Sequence, residues 1–284
     1  MTEAIDKNIV NRLANLDRRV IYTALIIVLM LPIVHRFGFP LSVSSQTREV
    51  HDLVQTLKPG SKILVYSDMA AHTVGEGGPG WIAFIQDLML REGVKIVFSS
   101  AGAYVPEPPT ILLTQILPQV DTAGKTYGKD YVILGWTPGG ETAMVNLARD
   151  IHTVYSTDVR GMSLEDLPAL QGIQKVTDFD LVSYTGTGNE AQVFRQLFVP
   201  SGKPGVYVGL ALARPLMMPY YPTVVRGYIL GLGQAAEYET LLHKPGKATG
   251  AADSLDLGHF LMFGLLIIGN LAFTLQKRKE ERSK

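Results

Sequence analysis

Asp68, His72 and Glu76 recur four residues apart in a stretch that also holds Gly75, Gly77, Gly78 and Gly80. Two carboxylates and an imidazole can hold polar groups of a ligand or move a proton, and glycines ahead of a helix expose backbone N–H groups that suit an anion. The spacing is neither G-x-G-x-x-G nor a P-loop, because no G-K-[ST] follows. A flexible connection, whose glycines merely permit an awkward path, is the other account of the same residues. Ser99, Thr137 with Gly139 and Gly140, Thr187, and Arg214 each stand at the end of an apolar run or just beyond it. With Asp68 they make an expected ring of ligand contacts, suited to an anion or a hydroxyl-rich molecule. No pair among them has diagnostic spacing, so no catalytic residue is assigned and no cofactor is implied. The six histidines are scattered without H-x-x-x-H or H-E-x-x-H, and there is no cysteine, so no metal site is expected and disulfides are excluded.

Something must carry those residues to one place. Apolar runs starting at Lys62, Lys95, Tyr131, Asp180 and Gly205 read as strands, each preceded or followed by a helical pattern. The expected helices cover about 48–57, 81–91, a stretch opening at Pro106, Pro108 and Pro109, then 140–155, a weaker 163–173, 189–198 and a long 223–242. Continuous apolar strands alternating with helices predict an open, Rossmann-like, mostly parallel α/β sheet of about five strands over residues 47–244. In such a sheet ligands bind outside the carboxyl ends of the strands, where Asp68, Ser99, Thr137, Thr187 and Arg214 are expected to stand.

The turn Trp136-Thr137-Pro138-Gly139-Gly140-Glu141 ends a strand and opens a helix, and over Tyr131 to about Ile151 it resembles a segment of the ClpP-like and SppA-like serine peptidases. The resemblance implies an oxyanion hole built by the Gly139-Gly140 backbone, with a serine from a later strand-to-helix turn. The corresponding turn here runs from Ser183 to Glu190 and lacks the serine-glycine pair of that family. A membrane-tethered hydrolase or transferase is accordingly one functional expectation.

The other expectation starts at the chain ends. Leu257 to Leu275 passes nineteen residues without a charge, about 28 Å of helix and close to the hydrocarbon thickness of a bilayer. A basic tail, 276–284, follows it. A second apolar run, Val20 to Val34, stands behind Arg18 and Arg19 and continues through Arg36, which can snorkel to the headgroups, to make an expected span over 20–39; an amphipathic lead is expected at 1–19 and a linker at 245–256. Residues 1–19 hold four basic and three acidic side chains and the tail five and two, which leaves 17 basic and 21 acidic between them. Basic ends around a mildly acidic centre predict two spans, both termini in the cytoplasm and the central domain outside the cell membrane. With 26 basic and 26 acidic residues overall, no basic field argues for nucleic acid. Partners are expected instead: the bilayer, and a second copy or other membrane subunits met through Asn270 and the apolar Arg214–Pro222 loop. A binding or scaffold subunit of an envelope complex is the function this predicts.

Overall fold

The computed structural model describes residues 17–102 and 107–282, so most of the amphipathic lead, and Pro106, lie outside the described residues. The chain divides into two compact units, Pro40–Ala248 and the pair Met1–Phe39 with Thr249–Lys284.

The first unit is an α/β domain. Six parallel strands, β1 Lys62–Asp68, β2 Lys95–Gly102, β3 Tyr131–Pro138, β4 Leu181–Gly186, β5 Gly205–Gly209 and β6 Val225–Leu230, lie in the order β3-β2-β1-β4-β5-β6. The central strands are buried along most of their length, as their near-continuous apolar sequences require when both faces are covered. In the unit's numbering, α2 is Ser45–Gln55, α3 Val74–Leu90, α4 Glu107–Ile111, α5 Gly140–Arg149, α6 Glu190–Val193, α7 Val199–Ser201, α8 Arg214–Met217 and α9 Gly231–Leu241, α1 belonging to the other unit.

Two expected helices are corrected. Residues 223–242 are not one helix: β6 occupies the first part, and Gly231 (φ +69°) turns the chain into α9. Gly227 is the reason a strand fits there. A Cβ on it would stand 2.8 Å from the Val50 backbone nitrogen, so its absence lets α2 press onto β6. Residues 163–173 form only short 3-10 turns at Leu164–Asp166 and Pro168–Leu170. Their buried leucines, Leu164, Leu167 and Leu170, cover the sheet without a helix.

The buried carboxylate of Asp87 ties three helices together. It accepts from the Tyr238 hydroxyl of α9 at 2.7 Å and lies 3.0 Å from His51 Nδ1 of α2, with Arg91 Nε of its own helical neighbourhood at 3.9 Å. Burial, and then the Asp87 charge, push the Tyr238 phenol well above its ordinary range. Helix α9 also fastens both ends of the domain. Glu237 accepts from the Ser44 backbone N–H (3.0 Å) and hydroxyl (2.6 Å), Gln234 reaches the same hydroxyl (3.1 Å), and Glu239 accepts from the N–H groups of Gly246 (2.7 Å) and Ala248 (3.1 Å).

The second unit is an antiparallel pair of helices, α1 Arg18–Val34 and α10 Lys247–Arg282. Helix α10 starts at Lys247, so the expected linker 245–256 is mostly helical; Glu239 supplies the acceptor for its first N–H groups. Lys247–Leu275 is long and apolar enough to cross a membrane, and among the described residues it is the one helix that is. Small residues set the contact. A Cβ on Gly250 would stand 3.1 Å from the Pro32 carbonyl and one on Gly258 3.2 Å from Leu29, and Ser254 Oγ donates to the Leu29 carbonyl (3.0 Å). Just beyond α1, the buried Asp253 carboxylate accepts three successive backbone N–H groups, from Phe37 (2.7 Å), Gly38 (2.9 Å) and Phe39 (3.0 Å).

Candidate functional site

The strand order reverses between β1 and β4, which makes their carboxyl ends the topological switch point of the sheet. Asp68 closes β1 there, paired in register with Gly186 of β4. Gly186 has φ +152°, and a Cβ on it would lie 2.7 Å from the Asp68 carbonyl. Only glycine lets the two strand ends approach this closely while the chain turns away.

Six side chains meet at that crossing. The Asp68 carboxylate accepts from the Asn189 amide and, at 3.5 Å, from the Tyr184 hydroxyl, which itself lies 3.4 Å from the Asn189 backbone N–H. Beside them the Tyr207 hydroxyl is 2.8 Å from Glu190 Oε1 and 3.1 Å from the Gly186 carbonyl. Thr187 Oγ1 donates to the Gly186 carbonyl (2.7 Å) and accepts from the Leu210 N–H (3.2 Å). Glu190 is buried and also takes the Gly188 N–H at 3.1 Å. Gly209 leaves room for the Tyr207 hydroxyl, which a Cβ would meet at 2.3 Å.

These contacts set the protonation of the site. Burial raises the Asp68 carboxyl above its ordinary value and the Glu190 charge adds to the rise, while the Asn189 and Tyr184 hydrogen bonds pull it partly back. The Tyr184 and Tyr207 phenols are pushed above their ordinary range, first by burial and then by the neighbouring carboxylates. A partly buried acid that binds protons more readily than usual, backed by two phenols, can exchange a proton with a ligand or accept hydrogen bonds from its hydroxyl or ammonium groups.

The sequence-predicted ring is only partly assembled. Asp68 and Thr187 belong to this cluster. Ser99 does not: it is buried, 3.1 Å from the Tyr155 hydroxyl, which donates to the Ser100 carbonyl at 2.6 Å. That phenol is pushed up to about 12 by burial. Thr137, Gly139 and Gly140 lie at the end of β3, the edge strand, with β2 between them and β1. His72 is exposed on a 3-10 turn at Ala71–Thr73. Arg214 is exposed on α8, its guanidinium carbon 5.8 Å from the Tyr228 ring centre.

The glycine-rich segment also differs from expectation. Its glycines lie inside α3, where a Cβ on Gly80 would stand 3.3–3.6 Å from Val208, Ile229 and Ala235 and one on Gly77 would collide with the Trp81 ring. Gly80 brings the helix onto the sheet. Glu76 accepts the Ala211 N–H (2.8 Å) and Glu107 the Ala71 N–H (3.0 Å), so the chain's own carboxylates already occupy two donors that an anion would use. At the peptidase-like turn, Gly139 (φ +116°) caps α5, and Ser183 is buried within β4 with its hydroxyl on the Leu64 carbonyl (3.1 Å).

Tyr184, Asn189, Glu190 and Tyr207 were absent from the predicted ring. One signal was present: Tyr66, Tyr184, Tyr207 and Tyr228 stand at matching positions on four adjacent strands. The Tyr184 and Tyr207 rings stack at 5.2 Å with an 11° angle. No protein family, curated protein or solved structure matches this chain.

A pH series tests the electrostatic description of Asp68. Its folded value lies above the usual 3.8, so the folded state binds more protons than the unfolded chain in the window between the two values. Stability contributed by this group therefore falls as pH rises through that window. Asp68→Asn is expected to melt higher than the parent at neutral pH, with the gain shrinking towards pH 4. A gain independent of pH would show that charge at Asp68 is not the cause.

Proposed function

We propose that this chain is a two-span membrane protein, with both termini cytoplasmic, that holds its α/β domain outside the cell membrane as a binding or scaffold subunit of an envelope complex. The observation that carries the reading is the antiparallel α1–α10 pair, whose outward side chains are almost all apolar. Ile26, Ile27 and Ile33 of α1, and Phe260, Ile267, Leu271 and Phe273 of α10, are more than half exposed. Such a surface is costly in water and costs nothing in hydrocarbon. The basic flanks at Arg18, Arg19 and Lys277 fall at the same end of the pair, which supports the topology.

Two features support binding over turnover. The hydroxyls of Ser183, Ser99 and Ser100 are all engaged within the fold, by the Leu64 carbonyl, Tyr155 and the Gly135 carbonyl. Leu216 and Met218, in the Arg214–Pro222 connection expected to meet a partner, are 54% and 45% exposed, and Leu212 just before it is 65% exposed. Asn270 is a weaker contact: exposed, with its amide donating to the Leu266 carbonyl of its own helix at 2.9 Å.

Reporter fusions at each terminus and within residues 107–200 test the topology. Cytoplasmic signals from both ends and an external signal from the middle are expected; a cytoplasmic signal from the middle overturns the reading.

A further inference from the structure

We propose that the groove between α1 and α10 is a site for an anionic phospholipid, with one acyl chain lying in the groove and the phosphate on Arg18. The proposal rests on the membrane reading above. The groove has a volume of about 450 Å³ and is lined by Ile21, Leu25 and Leu29 of α1 and by Met262, Leu265 and Leu266 of α10, among others. His259 is the sole polar side chain along it.

Length and an apolar lining point to the occupant. From Ile21 to Leu29 the groove runs about 12 Å, close to the roughly 15 Å depth of one leaflet's hydrocarbon. Apart from His259 the lining is aliphatic along that length, the surface an acyl chain packs against.

Charge identifies the headgroup. The lining residues Ile21, Leu25 and Leu29 repeat every four residues along α1, and Arg18 is one turn before Ile21 on the same face. Asn270 stands one turn beyond Leu266 on the facing ridge, so the inner mouth of the groove is flanked by a guanidinium and an amide. Arg19 is adjacent, and the Asp17 carboxylate is turned back to the Arg19 backbone N–H at 2.9 Å. The two helices also differ in apolar length. Val20 to Val34 gives about 22 Å against about 28 Å for Leu257 to Leu275. Arg18 is therefore drawn up to about 6 Å deeper than the basic end of α10. An arginine at that depth is stabilised by pulling a phosphate down to it, the local thinning that charged groups in membranes produce.

The test reconstitutes the full chain in phosphatidylcholine vesicles with a trace of spin-labelled phosphatidylglycerol or spin-labelled phosphatidylcholine, and measures the motionally restricted lipid. One arginine near the headgroups is worth about 1 kcal/mol, so restricted phosphatidylglycerol should exceed restricted phosphatidylcholine about fivefold. Arg18→Gln should bring that ratio close to one while leaving restricted lipid present, and Leu25→Trp, which fills the groove, should remove the restricted component for both lipids. Equal restriction of both lipids in the parent protein overturns the headgroup assignment. A chain that floats with the vesicles but restricts no lipid overturns the site and leaves the membrane reading standing, whereas a chain that fails to float takes both down. Cross-linking of two copies through a cysteine at Met262, with no restricted lipid, makes a second copy the occupant and also overturns the proposal.

Discussion

Gly186→Ala is expected to destabilise the protein by about 4 kcal/mol, the sum of backbone strain and a steric collision. At φ +152° the backbone of residue 186 lies where a side chain is strained, and the new Cβ would sit 2.7 Å from both the Asp68 carbonyl carbon and its oxygen. Those are backbone atoms at the end of a central strand, paired in register with Gly186 of β4, so they cannot swing aside as the tip of a side chain would. Gly188 provides the control. It has φ +120° with nothing within 4 Å of its built Cβ, so Gly188→Ala meets the strain alone and should cost about 1–3 kcal/mol. Chemical unfolding of both variants in detergent measures the difference. Equal losses would mean the close approach of β1 and β4 carries no energy, and the account of the switch point would fail with it.

Asp253→Ala is expected to loosen the helix pair by roughly 3 kcal/mol. Asp253 is 2% exposed, and its carboxylate accepts three successive backbone N–H groups from the short connection after α1. Hydrogen bonds to a charged acceptor are worth about 1.5–3 kcal/mol each, and three that share one carboxylate sum to less than their separate values. Leaving buried N–H groups without an acceptor is the larger part of the loss. Protease cleavage between Phe37 and Pro40 reads it directly: faster cutting is expected in the variant, with Asp253→Asn falling between it and the parent. If cutting is unchanged, the connection is held by the Phe37–Phe39 and Phe39–Phe260 ring contacts instead.

The fold was legible in the sequence wherever a strand is buried on both faces. Ile63, Leu64 and Val65, or Val206, Tyr207 and Val208, leave few other readings for a short apolar run between turns. The sixth strand was not legible, because its edge position admits Arg226 and its contact with α2 requires Gly227, and both break the apolar run. The glycine-rich segment is ambiguous in sequence for a related reason. A glycine that exposes its backbone to a ligand and one that brings a helix onto a sheet look alike until the neighbours of Gly80 are known. The carboxyl-end rule picks out Asp68 from sequence, but it groups Thr137 with it because sequence does not reveal strand order, which sets β3 at the edge. Tyr184 and Tyr207 give no such signal, because a buried tyrosine reads as core until its hydroxyl is seen to meet a carboxylate.

Residues 40–248 enter and leave through one helix. Ser44 is bound to Gln234 and Glu237, and Gly246 and Ala248 to Glu239, so both anchor points fall within six residues of α9, about 8 Å along its axis. Tension applied through the flanking segments would be borne across that short length of α9, and the six strands would stay slack. Such a domain is a cassette: mechanically insulated from whatever pulls on its ends, and transferable into another chain at any turn where two neighbouring backbone ends are close enough to accept it.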